Sequence, residues 1–260
     1  MIKLFDSHCH LDDDIFAKDI DSVFNRFQLA GGLGIMIAGI DAASSRKAVA
    51  LANTTDICFV SVGFHPHHAA ECSEAALEQL KTLSAHPKVR AWGEIGLDYN
   101  RMYSPIKGQE RWFIRQLEIA DSMGLPIIFH ERDTEGRFLQ LLQNHTKSDR
   151  KGVIHCFSGN RKELEAYLAM GLSIGITGII TMKSRGDQLR ELVSLIPPDR
   201  LLVETDAPWL TPSPERNRHR RNEPAFVRSV LLKLAAIRKE APEYLSETVY
   251  QNACRLFCVL

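Results

Sequence analysis

The 260-residue sequence lacks a CxxC pair, a net charge and an apolar run long enough to span a bilayer, and each absence removes a class of function. Its six cysteines, Cys9, Cys58, Cys72, Cys156, Cys254 and Cys258, do not have the spacing of a zinc ribbon or a thiol redox site. They are expected as reduced thiols of a cytoplasmic protein, several of them packed in strands or in the last helix. The 32 basic residues balance 32 acidic ones, which argues against bulk coating of nucleic acid; contact with a polyanion then needs a local basic cluster or a metal. Leu33 to Ile40 is only strand-sized and Val230 to Ile237 is broken by Lys233, so no membrane association is expected. No basic start followed by an apolar core marks a secretory signal. Low-complexity tracts are missing too, and with 45% hydrophobic residues a chain of this length builds its core without disulfide staples.

What is present is a regular alternation. Apolar strand-like runs begin near Ile2, Leu33, Ile57, Val89, Pro126, Gly152, Leu172 and Leu201, and a helical pattern follows each of the first seven. Helices are predicted over Asp12 to Ala30, Ala42 to Asn53 with Asp41 as N-cap, Ser73 to Ser84, Lys107 to Met123 stopped by Gly124, Thr134 to Asn144, Lys162 to Met170 and Asp187 to Leu195. Two more are predicted within Glu223 to Leu260. Continuous apolar strands alternating with helices imply a parallel sheet covered on its outer face. Eight such units, without a composition break, predict an α/β fold, a single (β/α)8 TIM barrel over residues 1–260.

In such a barrel the chemistry lies at the C-terminal ends of the strands. The first strand ends in His8 and His10, which the period of two sets on one face, with Cys9 on the other. Strand three ends in His65, four in Glu94, five in His130 with Arg132 beyond, six in His155, and eight in Glu204 and Asp206; Gly39 and Gly175 at strands two and seven leave room. One histidine at a strand end is more often structural than a ligand. Imidazoles and carboxylates at six converging strand ends are not explained that way, and the set suits Zn²⁺, Mn²⁺ or Mg²⁺. Cys9 and Cys156 are expected to point outward into the core, and Asp98, in the loop after strand four, either to support a metal ligand or, as the preferred reading, to cap a helix.

The motifs resemble those of the TatD family of metal-dependent deoxyribonucleases, relatives of the amidohydrolase barrels. The residues that carry the likeness are Asp6 to Asp12, Gly63-Phe64-His65-Pro66, Gly93 to Asp98, His130 to Asp133, His155 to Gly159, Glu204-Thr205-Asp206-Ala207-Pro208 and Arg221-Asn222-Glu223-Pro224, in order over almost the whole chain. The resemblance implies two divalent ions, one held by His8, His10, Glu94 and Asp206, the other by Glu94, His130 and His155, with Glu94 bridging. A pair of ions lowers the pKa of a bound water, and Asp206 is the candidate to take its proton. His65 and Arg132 are candidate phosphate donors, and Glu204 is a candidate to hold the water or orient a ligand. The basic run from Arg216 to Arg221 follows strand eight and offers a phosphate backbone a local attraction, with Arg221 counted as substrate-binding.

The reading that follows is a hydrolase cutting DNA phosphodiester bonds, 3'-5' exonuclease-like, on single strands or ends, as a monomer. A small-molecule amidohydrolase or phosphoesterase using the same metals is the alternative, and a non-catalytic barrel is a third. The intact ligand set argues against the last.

Overall fold

The computed structural model describes residues 1–145, 147 and 149–259. In chain order the first half contains β1 (Leu4–Cys9), α1 (Ile20–Leu29), β2 (Gly32–Ala38), α2 (Ala42–Ala52), β3 (Cys58–Val62), α3 (Glu74–Leu83), β4 (Val89–Asp98) and α4 (Ile106–Met123). The second half contains β5 (Ile127–Arg132), α5 (Arg137–Asn144), β6 (Gly152–Ile154), α6 (Arg161–Ala169), β7 (Ser173–Ile176), α7 (Asp187–Leu192), β8 (Leu201–Val203), α8 (Val227–Arg238) and α9 (Pro242–Phe257). The strands form one eight-stranded sheet in the order β1 to β8, which with the intervening helices is the (β/α)8 fold. Among the described residues no helix is long and apolar enough to cross a membrane.

Two compact units make up the chain. The first comprises Met1–Ile37, Cys156–Arg161 and Ser173–Leu260, and the second Ala38–His155 and Lys162–Leu172. In the first, β1 pairs parallel with β2 and β7 with β8, while Cys9 and Ala207 form an isolated parallel bridge. The amide of Asp206 donates to His8 O at 2.9 Å and that of His10 to Ala207 O at 2.7 Å, so the segment after β8 lies along the end of β1. Phe5 stacks against Phe257 of α9, whose inner face also buries Leu245, Val249 and Ala253.

In the second unit β3, β4, β5 and β6 pair parallel in sequence. Close approach of β4 to β5 depends on two glycines with positive φ. A Cβ on Gly96 (φ +152°) would meet His130 O far inside contact distance, and one on Gly93 (φ +148°) would lie 2.6 Å from Ile128 O. Outside the strands, α4 buries Trp112, Phe113 and Leu117 and ends at Gly124, in the left-handed region at φ 66°. Asp41 caps α2 as predicted, accepting from the amides of Ala43 and Ser44 at 2.7 Å.

Three of the boundaries that differ from the sequence-based expectation bear on the site or its approaches. The helix predicted over Asp12 to Ala30 is a 3-10 turn at Asp14–Phe16, capped by Asp13, and then α1; burial of Phe16 anchors the chain between the two pieces. Strand β4 runs on past Glu94 to Asp98, because Leu97 and Asp98 continue to pair with Glu131 and Arg132. Helix α5 begins at Arg137 instead of Thr134, since Asp133, Glu135 and Gly136 all have positive φ. Leu260, the last residue of the expected final helical segment, lies outside the described residues.

Candidate active site

In the first unit β1 sets His8 and His10 on one face, their Nε2 atoms 3.1 Å apart. Asp206 Oδ1 stands 3.8 Å from the former and 3.6 Å from the latter. A divalent ion with bonds of about 2.0–2.1 Å holds neighbouring donors about 3.0–3.4 Å apart, so this triangle needs only small side-chain adjustments to close on one. Both imidazoles are buried and Asp206 is partly open. Asp206 has a positive φ of 57°, where the chain leaves the strand direction of β8.

Behind these three lies a buried acidic pair. Asp6 accepts from Thr205 N at 2.8 Å and from its hydroxyl at 2.5 Å. Burial pushes its carboxyl up to about 8 against those hydrogen bonds, and the nearby charge of Glu204 adds to the rise. Glu204 is fully buried; its Oε1 accepts from Cys156 N at 2.6 Å and its Oε2 from Ser7 Oγ at 3.2 Å. Gly175 makes room for it, since a Cβ there would lie 2.6 Å from Oε2.

In the second unit Glu94 is the centre. Its Oε1 lies 2.6 Å from His130 Nδ1, 3.6 Å from His65 Nε2 and 3.8 Å from His155 Nε2. His65, Glu94 and His130 thus form a cluster able to hold a cation. Three imidazoles around one carboxylate oxygen are a donor set of the nitrogen and oxygen type that borderline divalent ions prefer.

Hydrogen bonds decide what each imidazole can do. His65 Nδ1 accepts from the His67 amide at 3.1 Å, which fixes its proton on Nε2 and leaves Nε2–H as a donor facing Glu94 Oε1, 3.6 Å away. Burial depresses its pKa to about 3, beyond what Glu94 restores, so the ring is neutral. His130 goes the other way: burial would lower it, but the charge of Glu94 and a hydrogen bond to Asp98 raise it to about 9. A pair of carboxylates that keeps a buried imidazole charged is a field that attracts cations.

Asp98 corrects the expectation of a helix cap in a loop. It is the last residue of β4, fully buried, and its Oδ2 lies 2.7 Å from His67 Nε2 and 3.4 Å from His130 Nε2. Its Oδ1 accepts from the amides of Asn100 and Arg101 at 2.9 and 2.8 Å. Burial would raise its carboxyl, but the two imidazoles and these amides hold it well below the ordinary carboxylate range. No helix begins there; α4 follows Pro105. Cys156 is corrected too. Its φ of 48° ends the strand alternation, and its thiol lies 3.5 Å from Thr177 Oγ1 and within 4.8 Å of an Asp206 oxygen, so it faces the acidic residues. Cys9 is buried against Met36 O as expected.

The two predicted arginines differ. Arg132 ends β5, its side chain is 38% exposed and, among the described residues, its nearest carboxylate is Asp133 at 4.0 Å, so its donors are open to a ligand. Arg221 has both ends of its fork on Asp19, at 2.8 and 2.7 Å, a further bond to Ile15 O at 2.9 Å, and its plane over the Phe16 ring.

The roles of several supporting residues escaped the sequence reading. Gln109 holds Asp98 N and O at 2.9 and 3.0 Å, and Gln116 brackets Phe64 N and O at 2.8 and 3.0 Å, next to His65. Both lie on the buried face of α4, and glutamines on an apolar stripe were the available signal. Asn222 donates to Thr205 O and Trp209 O at 2.9 and 2.6 Å and pins the segment that carries Asp206.

Residues 5–258 match the family model described as TatD related DNase. The chain is 45% identical over 257 residues to the 3'-5' ssDNA/RNA exonuclease TatD of Erwinia billingiae, covering 98% of both chains. It is 42% identical to the protein of the same name from Yersinia pseudotuberculosis, over 98% of this chain and 99% of that one. Among solved structures, the TatD homologue YjjV of Escherichia coli superposes with a TM-score of 0.91 at 30% identity, over 99% of this chain and 98% of that one. A TatD family hydrolase from Entamoeba histolytica superposes with a TM-score of 0.90 at 27% identity over the full length of both. A match of this extent, on a chain whose strand ends carry these imidazoles and carboxylates, places the chain in the TatD-related DNase family.

Proposed function

We propose that the chain is a metal-dependent exonuclease that shortens single-stranded DNA from its 3' end, using two divalent ions of the Mg²⁺, Mn²⁺ or Zn²⁺ kind. The observation that carries this reading is the convergence of three imidazole nitrogens on Glu94 Oε1, together with the His8–His10–Asp206 triangle, in a chain that matches exonucleases over 98% of its length.

The proposed ligands are His8, His10, Glu94 and Asp206 for one ion and Glu94, His130 and His155 for the other, with Glu94 shared. When bound, the ions supply Lewis acidity toward a phosphate oxygen and toward water. Asp206, the least buried member of the first triangle, is the base that accepts the proton of the attacking water. Glu204 is locked by Ser7 and the Cys156 amide and positions its neighbours without itself travelling. His65, neutral and with its proton fixed on Nε2, donates to a phosphate oxygen, as does the open guanidinium of Arg132. Arg221 serves the substrate through the loop that it clamps to Asp19, since its own fork is taken. Residues 1–260 act as one domain in this proposal, supported by the single sheet and the unbroken family match.

The test is degradation of end-labelled single-stranded DNA and RNA by chelated and then reconstituted protein, wild type beside Asp206→Asn, with each of the three metals. The expected result is metal-dependent shortening from the 3' end, lost in the variant. A protein that binds two ions and cleaves neither polymer would overturn the reading in favour of a small-molecule hydrolase.

A further inference from the structure

Trp209 follows Asp206 by three residues and is 50% exposed, whereas Trp92 and Trp112 are 0% and 9% exposed. Leaving an indole in water forgoes a large apolar burial, yet this residue is not loosely held. Its backbone N–H donates to Asp206 O at 2.9 Å, and its carbonyl accepts from the side-chain amide of buried Asn222 at 2.6 Å. The ring meets the His10 imidazole edge-on, with centroids 5.0 Å apart and planes at 65°. It is therefore a ring fixed in advance beside a candidate metal ligand and still open to solvent, so that a flat partner arriving on it meets little ordering cost.

The charge around it narrows the partner. The loop between Trp209 and Asn222 carries Arg216, Arg218 and Arg220, all exposed, and among the described residues none of these guanidiniums has a side-chain partner. A ligand that presents flat π faces and phosphates in alternation satisfies both features, and a single-stranded nucleic acid is that ligand. In a duplex the base faces are covered by their neighbours and are not available to an indole.

We infer that Trp209 is the platform on which a base of the substrate strand stacks, so that the site distinguishes a strand with free bases from a paired or base-less backbone. The inference rests on the nuclease reading above and adds the feature of the substrate, an unstacked base, that the chain recognises beside His10.

The test uses Mg²⁺-loaded protein and fluorescently labelled phosphorothioate oligothymidylate, which resists cleavage, against an abasic oligomer of the same length, with affinity read by anisotropy over a range of salt. Stacking of one base is worth about 1–3 kcal/mol, so wild type is expected to bind oligothymidylate about 5–150-fold more tightly than the abasic strand. Trp209→Ala should bring the two close to parity, and Trp209→Phe should restore most of the preference. The salt slope should stay at its wild-type value in Trp209→Ala, since no phosphate contact is lost, and should flatten when Arg216, Arg218 and Arg220 are changed together to alanine. Equal wild-type affinity for the two strands, or an undiminished preference in Trp209→Ala, overturns the inference. The wild-type comparison decides even where the alanine variant folds poorly. Base preference without cleavage of unmodified DNA or RNA under any metal would leave the platform standing and remove the nuclease reading; cleavage without base preference would do the reverse.

Discussion

Single atoms decide what each side chain of the site can do. The backbone amide of His67 chooses the tautomer of His65, and Asp98 orients His130 and His67 through one carboxylate oxygen while two amides hold the other. A group that orients an imidazole ligand is worth about 10–100-fold in metal affinity. Asp98→Asn is accordingly expected to weaken Mn²⁺ binding by that factor in a calorimetric titration, with the fold retained; wild-type affinity would reduce Asp98 to a turn-former. Glu94→Ala should remove both activity and bound metal, because every imidazole of its unit's cluster converges on that oxygen. Cys9→Ala should leave metal content and activity nearly intact, since its thiol faces Met36 and not the imidazoles. Metal analysis of the two variants side by side checks the strand faces directly.

Elements place those atoms, and they do so through close approaches that a side chain would block. Gly96 lets β4 lie against His130 of β5, and its φ of +152° is strained for any other residue. Gly96→Ala should cost about 3 kcal/mol or more, through overlap with backbone that has nowhere to move, and should shift the urea midpoint without changing the slope. The loop after β8 is tied down by charge. Arg221 lowers the Asp19 carboxyl to about 2, with Arg26 assisting, and Arg26 also holds Glu223 at 2.7 Å. A depressed carboxylate pKa stabilises the fold at neutral pH, and that contribution is lost as pH falls from about 4 through about 2. Asp19 is 37% exposed, so solvent screening limits the effect to about 1 kcal/mol. Asp19→Asn should therefore be less stable than wild type at pH 7 by about that amount, and the gap should narrow toward pH 2. A gap that does not change with pH would locate the effect in packing.

At the scale of the whole molecule, bound metal and folding are linked. Buried Glu94 and Glu204, with Asp6 beside Glu204, are carboxyl groups that a folded chain carries at a cost when no cation is near. Saturating a site at 100 times its dissociation constant adds about 2.7 kcal/mol. Chelation is expected to lower the melting temperature, and added Mn²⁺ to restore it with a concentration dependence that Asp206→Asn blunts. A melting temperature indifferent to chelator in a protein shown to lose its metal would mean that the ion binds the folded chain no more tightly than the unfolded one.

The sequence by itself determined the β/α count, the helix caps at Asp41 and Gly124, and the order in which imidazoles and carboxylates arrive at strand ends, because local periodicity and turn chemistry are written in neighbouring residues. The pairing of β4 beyond Glu94 was not legible, since the residues that extend it lie on β5, and so a helix cap in a loop was preferred for Asp98 over the support of a ligand that its place between two histidines gives it. The same holds for Cys156, turned toward Asp206 by a positive φ, and for Arg221, whose partner Asp19 stands 202 positions away. Which side chains occupy a strand end is a one-dimensional fact. Whether a guanidinium is free, an imidazole donates or an indole stays in the open depends on contacts between distant segments, and only the tertiary structure decides those.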